Sequence, residues 1–376
     1  MFRGILREFH YLMQHKWDLC MVTLAPALVI LLFTNMFAQG KPDHLPIAII
    51  DQDQSSLSRN ITHFAQLNHT LKVATITPSM DDAEKLLNQT QIWGYIHIPA
   101  GAEQRLVHAK DAEISIAYNQ SYFSVGNSIS SAMLLSTLQA MADFSGHQYL
   151  ENSIPYLDAP TPNVKISPLY NPGLNYEFYL EPYMIPAILH LLLCCCVAFS
   201  VGQEIKYGTV NQWVKPTSVF QALIAKNLSY VFIFTAWTWA WMFWLIVFRG
   251  WFVQGSLLLI LLGQLFFYTA YAFISSTVVL ATRDLTKSFG FIAVYGGSSL
   301  SFAGVTLPLN NAPMFTKFWA NIIPYTPYAK LQTEQWVIGS PISISITPLV
   351  TLIIYCLFYF VLASFFLRKV LKEQVI

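Results

Sequence analysis

Long apolar runs separated by two polar stretches organise this chain. At its start, Phe2, Ile5, Leu6, Phe9, Leu12, Met13 and Trp17 recur at helical spacing, with Arg3, Arg7, Glu8, Gln14 and Lys16 on the other face. The pattern predicts an amphipathic helix over 1–18, lying in the headgroup layer with its basic side toward anionic lipid. From Leu19 to Ala38 the run is apolar over the roughly 20 residues that a bilayer crossing requires. A cleaved signal peptide has a shorter apolar core of about 7–15 residues and a small-residue cleavage site, so 19–38 reads as an uncleaved first span.

Residues 39–178 follow a different rule. Pro46–Ile50, Lys72–Thr77, Ile92–Ile98 and Glu113–Tyr118 have the composition of strands, and Ser55–Leu67, Asp81–Gln89 and Gly101–His108 that of helices. Ser79 with Asp82 three residues on resembles a capping box. The alternation predicts an α/β layer domain around a sheet, followed by a longer helix over about 123–152 and a proline-rich return over 154–172.

Apolar runs resume after Glu181, predicting spans near 180–202, 222–248, 253–281, 288–308 and 346–367. With the first span these make a six-helix transmembrane bundle, its second part covering 179–376. With the N-terminus inside, Arg3, Arg7, Lys16, Lys206, Lys215, Lys226, Arg283, Lys287, Arg368, Lys369 and Lys372 collect on one side. The opposite short loops hold Arg249, Lys317 and Lys330. The positive-inside rule therefore predicts two cytoplasmic termini and an extracytoplasmic α/β domain.

Composition supports a membrane solvent: 55% of residues are hydrophobic and only 11% charged, against about 25% charged in a typical soluble domain. A net charge of +1 without a concentrated basic face argues against nucleic acid as a partner. All five cysteines (Cys20, Cys194, Cys195, Cys196 and Cys356) lie in apolar runs, so no disulfide framework is expected in the polar domain. Adjacent helical cysteines point in different directions, so the triplet reads as apolar filling rather than a metal site. Among ionisable residues, His190 alone falls well inside a span, with Glu177, Glu181 and Glu204 toward its ends. A histidine satisfied by a backbone carbonyl accounts for it better than a proton relay.

Three segments stand out. Glu204 to Pro216 is short, opens polar, and is bounded by Gly208, which permits a sharp change of direction, and Pro216, which stops a helix. A short helix near 209–214 would then lie across the membrane face, where another protein can push on it; an interfacial loop with Lys206 and Lys215 as anchors reads as well on physics alone. Ala293, Gly297 and Ser301 form a small-residue stripe that suits a dimer seam, a moving pathway wall, or packing within the chain. Segment 310–345 is too polar and proline-broken to span, and reads as short re-entrant or interfacial helices.

Glu204-x-x-x-Gly208-Thr209 followed by Pro216-Thr217-Ser218 and an apolar span resembles the coupling segment of the ABC-2 type permeases. Ile47-Ala-Ile-Ile-Asp51-Gln-Asp53-x-Ser-Ser56-x-Ser58-Arg59 is similar to the opening of that family's outer domain. Ala83-x-x-Leu86-Leu with Gly94-Tyr-Ile-His-Ile98-Pro99 also fits, as do Gly304-x-x-x-Pro308-Leu309-x-x-x-Pro313 and Ile323-Pro324-Tyr-x-Pro-Tyr328. The chain departs at Asn211-Gln212-Trp213, where the family more often has an acidic residue and leucines.

The resemblance implies a six-helix exporter-type bundle with a large periplasmic domain between spans 1 and 2, in the bacterial inner membrane. It implies an ATPase-coupling segment over 203–219 that uses Glu204, Lys206, Gly208, Thr209, Trp213 and Pro216. An outer gate is implied near Pro308, Pro313 and Pro324. The chain has no G-x-x-x-x-G-K-S/T phosphate loop, so ATP and Mg are expected on a separate ABC ATPase subunit, with no cofactor held by this chain. A second permease copy or paralogue, a periplasmic membrane fusion protein and an outer-membrane channel are the other implied partners. The cargo expected is drug-like, lipid or otherwise amphipathic. A proton-coupled transporter and a membrane-anchored receptor using the outer domain are the rival classes.

Overall fold

The computed structural model describes residues 2–38, 43–108, 110–119, 123–152, 175–215, 217–306, 309–310 and 312–374. The chain forms two compact units, one of Met1–Ala38 with Tyr176–Ile376 and one of Gln39–Asn175.

Helix α1 (Phe2–Gln14) ends at a bend at His15, and α2 (Lys16–Phe37) follows. The orientation of α1 differs from the sequence expectation. Glu8 and Leu12 are buried against the bundle, while Leu6, Phe9 and Met13 are exposed. Of the polar face, among the described residues, Glu8 alone is drawn inward, where Lys226 meets it, while Arg7, Gln14 and Lys16 stay exposed. In α2, Pro26 cannot donate to the Val22 carbonyl four residues back. The Trp237 Nε1–H donates to that carbonyl at 3.0 Å instead, so the proline is accommodated by a neighbouring helix.

The second unit carries β1 (Leu45–Asp51), α3 (Ser56–Leu67), β2 (Leu71–Thr77), α4 (Met80–Asn88), β3 (Gly94–Ile98), α5 (Ala102–Val107), β4 (Ser115–Tyr118) and α6 (Phe123–Asn152). The strands form a four-stranded sheet in the order β2-β1-β3-β4, parallel except for β4. Leu45, Ile47 and Ile49 face one core with Leu57, Ile61, Met133 and Phe144; Ala48 and Ile50 face another with Ala83, Ile92 and Tyr95. Burial on both faces is why β1 reads as a continuous apolar run rather than an alternating one. Gly94 opens β3 because a Cβ there would come within 2.6 Å of the Ala117 carbonyl oxygen.

The acid- and serine-rich run after β1 is a pair of reciprocal helix caps. Asp53 accepts from the amides of Gly101 (2.7 Å), Ala102 (3.0 Å) and Glu103 (3.0 Å), capping α5. Glu103 in turn accepts from the Leu57 amide (2.9 Å) and the Ser56 hydroxyl (2.7 Å), at the start of α3. Burial pushes the Asp53 carboxyl up, but the Ser55 hydroxyl and these amides outweigh it and hold its pKa below the usual value. Glu103 is lowered in the same way, with burial opposed by its bonds to Leu57 and Ser56. The reciprocal capping box sits at Ser55 and Ser58; Ser79 caps α4 through the Asp82 amide alone.

The first unit continues with α7 (Tyr176–Lys206), α8 (Val210–Val214), α9 (Val219–Phe248), α10 (Leu257–Thr282), α11 (Leu285–Gly297), α12 (Ser299–Phe302), α13 (Met314–Ile322), α14 (Tyr325–Gln332), a wide helical turn at Thr333–Ile338 and α15 (Ile342–Gln374). Helices α7 and α10 hold the centre, with Leu189, Leu193, Val197, Phe267 and Tyr271 in one continuous core. Among the described residues five helices are long and apolar enough to cross a membrane: α2, α7, α9, α10 and α15. The predicted span 288–308 instead divides into the 13-residue α11, which rises only about 20 Å, and the short α12. The break follows Gly296 and Gly297, two residues that weaken a helix interior.

The aromatic run of α9 divides by face. Phe234 and Trp241 are buried, whereas Phe232, Trp239 and Phe243 are exposed.

Candidate functional site

At the C-terminal end of α7 the chain reverses through Gly208, whose φ of +67° belongs to the left-handed region that other residues enter only at a cost. A Cβ there meets nothing within 4 Å, so backbone conformation and not space is what favours glycine. The turn is closed by the Thr209 amide donating to the Glu204 carbonyl at 2.9 Å. Helix α8 then packs Val210, Trp213 and Val214 inward and leaves Gln212 exposed. Ser218 caps α9 by accepting from the Gln221 amide.

A buried charge network anchors this turn. The Lys226 ammonium, one residue into the third turn of α9, lies 2.7 Å from Glu8 Oε1 and 3.2 Å from Glu204 Oε1. The three side chains are only 4%, 4% and 9% exposed. Arg7 Nη2 reaches the same Glu204 oxygen at 3.0 Å, and Arg7 Nη1 donates to the Gln212 carbonyl at 3.3 Å. The other Glu204 oxygen accepts from the Thr209 hydroxyl, and Glu8 accepts from Ser200 at 3.3 Å. The Lys226 ammonium also stands 5.1 Å from the centre of the Trp213 ring. One carboxylate at the end of α7 is thus tied to α1, α9 and the turn before α8. These groups line a cavity of about 280 Å³ together with Tyr11, Gln203 and Tyr207.

Burial makes this cluster consequential. Charges taken out of water are tolerated only when paired and hydrogen-bonded, and stranding one is costly. A displacement of α8 that pulls Thr209 or Gln212 is therefore felt at α1 and α9 through bonds that resist breaking one at a time. Lys206 points away, exposed, 5.6 Å from the Tyr207 ring, and is not part of the network. Pro216 lies outside the described residues.

The far end of α7 carries a second set of ties. Arg249 grips Glu177 with two bonds, Nε to Oε1 at 2.8 Å and Nη2 to Oε2 at 3.0 Å, and also donates to the Ala38 carbonyl. Glu181 accepts from Trp241 at 2.9 Å and Thr34 at 3.0 Å, joining α2, α7 and α9. The segment after α12 is fastened beside them: Tyr325 donates to the Tyr183 carbonyl at 2.7 Å and Tyr295 to that of Ile322 at 2.6 Å. Glu334 accepts from Ser345, which also bonds Gln335, holding the wide turn to α15. Pro313 and Pro324 stand immediately before α13 and α14, where a missing N–H costs nothing. Pro308 lies outside the described residues.

Ala293, Gly297 and Ser301 share an exposed face of α11 and α12, and a Cβ at Gly297 meets nothing within 4 Å. Among the described residues, then, the stripe is left uncovered. His190 is fully buried, its Nδ1 3.2 Å from the Pro186 carbonyl and its ring against Phe267, Tyr271 and Tyr325.

The structure brings the expected Glu204, Gly208, Thr209 and Trp213 together, and adds Glu8 and Lys226, which the sequence placed only on the polar face of 1–18 and among the inside cations. A readable signal exists: Lys226 stands inside an otherwise apolar stretch, too deep for a simple orientation anchor. That it meets Glu8 needed the fold, since 218 positions separate the two.

The model of the ABC-2 family transporter protein matches residues 16–365. The probable multidrug ABC transporter permease YbhR of Escherichia coli strain K12 is 24% identical over 225 residues, 57% of this chain and 56% of that protein. YbhR of Escherichia coli O157:H7 matches to the same extent. The matched stretch thus spans about half the length of the curated relatives. No solved structure matches significantly.

Proposed function

The chain belongs to the ABC-2 family of transporter proteins, and on that footing we propose that it is the permease of an exporter whose ATPase is a separate subunit. The observation that carries this reading is the anchoring of Glu204. A hinge that only joined two spans would not require a buried three-helix charge network behind it; a hinge that receives force does. ATP binding closes the partner motor domains, which push on α8, and the Glu204–Lys226–Glu8 ties pass the displacement to α7, α9 and α1. Cargo moves outward across the bacterial inner membrane, with both termini and α8 cytoplasmic and the α/β unit periplasmic. A drug-like or amphipathic cargo is supported by the multidrug permease relative and by the mostly neutral, aromatic interior.

The exposed stripe of Ala293, Gly297 and Ser301 is assigned to the seam with a second permease copy or paralogue, since close backbone approach is what such stripes permit. The segment 310–345, with Pro308, Pro313 and Pro324, is assigned to the outer gate, and the α/β unit to docking a membrane fusion protein that leads to an outer-membrane channel. Co-purification from native membranes tests the reading. A stoichiometric partner bearing a phosphate loop is expected, and Glu204→Gln should leave that partner bound while transport per ATP falls. A crosslinked eluate without any ATPase would refute the assignment.

A further inference from the structure

Where α1 bends into α2, the bundle leaves an apolar recess of about 270 Å³ on its flank. Its rim is open, because Trp17 and Phe199 are exposed. Four aromatic rings line it (Trp17, Phe199, Tyr230 and Phe289), drawn from α2, α7, α9 and α11. Cys195 is among its lining residues, and the one carboxylate among them is Asp18.

Asp18 stands in the first turn of α2, where the helix dipole favours an acid. That accounts for an acid at the position but does not neutralise it. The Tyr11 hydroxyl nearby donates to Gln203, and among the described residues no lysine, arginine or histidine forms an ion pair with Asp18. Arg7 is engaged with Glu204, and Lys226 with Glu204 and Glu8, while Lys16, exposed on the same helix as Asp18, forms no ion pair with it among the described residues. Behind the recess, Ser200 on its wall donates to Glu8 at 3.3 Å, and that carboxylate is already paired with Lys226, which leaves Asp18 as the charge facing the recess.

We propose that this recess binds a lipophilic organic cation, its apolar groups among the four rings and its charge facing Asp18. Ring faces attract cations, and an unpaired carboxylate beside apolar surface completes the complementarity. Other occupants fit less well. A hydrated metal ion would find one carboxylate where it needs six or more oxygens. An anionic amphiphile would face the Asp18 carboxylate, and a neutral acyl chain would leave that carboxylate unpaired. That the bound cation is cargo rests on the exporter reading above; that it binds does not.

The test uses the purified full chain in nanodiscs of phosphatidylethanolamine and phosphatidylglycerol, with no ATPase present. Tritiated tetraphenylphosphonium is the probe and tetraphenylborate its anion of like shape. Saturable binding of the phosphonium is expected, weakened at least tenfold by Asp18→Asn, with no saturable binding of the borate. In the unmutated chain, tetraphenylphosphonium should slow alkylation of Cys195 by N-ethylmaleimide, read by peptide mass spectrometry, and Cys195→Trp should abolish binding by filling the recess. Equal binding to the unmutated chain and a normally melting Asp18→Asn chain would overturn the proposal, as would an unprotected Cys195 or no binding at all. The two readings fail separately. Binding without any ATPase partner in native membranes would leave the site standing and remove the exporter, whereas ATP-driven efflux with no phosphonium binding would do the reverse.

Discussion

Replacing Lys226 with methionine isolates what the buried charge network contributes. Methionine keeps most of the apolar stem and removes the ammonium. Glu8 then loses the cation 2.7 Å away and keeps only the Ser200 hydroxyl at 3.3 Å, while Glu204 retains Arg7 at 3.0 Å. With Glu8 only 4% exposed, this belongs with broken buried pairs, which cost roughly 3–5 kcal/mol, rather than with surface pairs worth about 0–1 kcal/mol. The Arg7–Glu204 pair is discounted, because the Arg7 side chain is 42% exposed and water screens it. At about 1.4 kcal/mol per power of ten, the lower figure raises the population with α1 undocked at least a hundredfold. Hydrogen exchange of the α1 amides in nanodiscs reads this directly, and Lys226→Met should accelerate it by that factor. The double variant Glu8→Gln with Lys226→Met should recover much of the loss, since no carboxylate is then stranded, giving a coupling well outside additivity. Unchanged α1 exchange in Lys226→Met, or two substitutions that simply add, would refute the reasoning.

Further outcomes follow from the same geometry. Gly208→Val should reduce transport per ATP more than Gly208→Asn, because asparagine tolerates a positive φ and a β-branched residue does not; equal effects in a reconstituted transport assay would show that backbone strain is irrelevant there. The lowered pKa values of Asp53 and Glu103 mean that their contribution to stability is complete above the unfolded carboxylate range, near pH 4, and is lost as pH falls through the lower folded values. Pepsin sensitivity of the α/β unit should therefore rise below about pH 4, and Asp53→Asn should be sensitive already at pH 5. Gly297→Leu should lower crosslinking between permease copies without lowering the melting temperature, since the position is open within one chain. Gly202→Leu should instead destabilise the chain by about 1–3 kcal/mol, because even a Cβ there overlaps the Leu285 side chain; an unchanged melting temperature would contradict the close packing of α7 on α11.

Much of the architecture was legible from local patterns. Apolar runs of bilayer length mark α2, α7, α9, α10 and α15, because a helix facing lipid or packed core must be apolar along its length. Alternation of strand-type and helix-type runs marks the elements of the α/β unit, because the period of burial differs between the two. Gly208 announced a turn because few other residues hold its conformation cheaply. At 288–308 the apolar run predicts one span, and the structure divides it after Gly296 and Gly297 into α11 and α12.

What the sequence by itself determined is therefore most of the elements and the position of the turn at Gly208: these depend on propensities and periodicities carried by neighbours along the chain. Tertiary structure decided which face of α1 turns inward, that Glu204 shares Lys226 with Glu8, and that Asp18 lies beside an aromatic recess with no ion-pair partner among the described residues. Hydrophobicity gives an amphipathic helix two plausible orientations, and only the charges waiting on α7 and α9 select one. Pairing across some 200 residues leaves no local trace, because electrostatic partners are chosen by distance in space and by the absence of competing water.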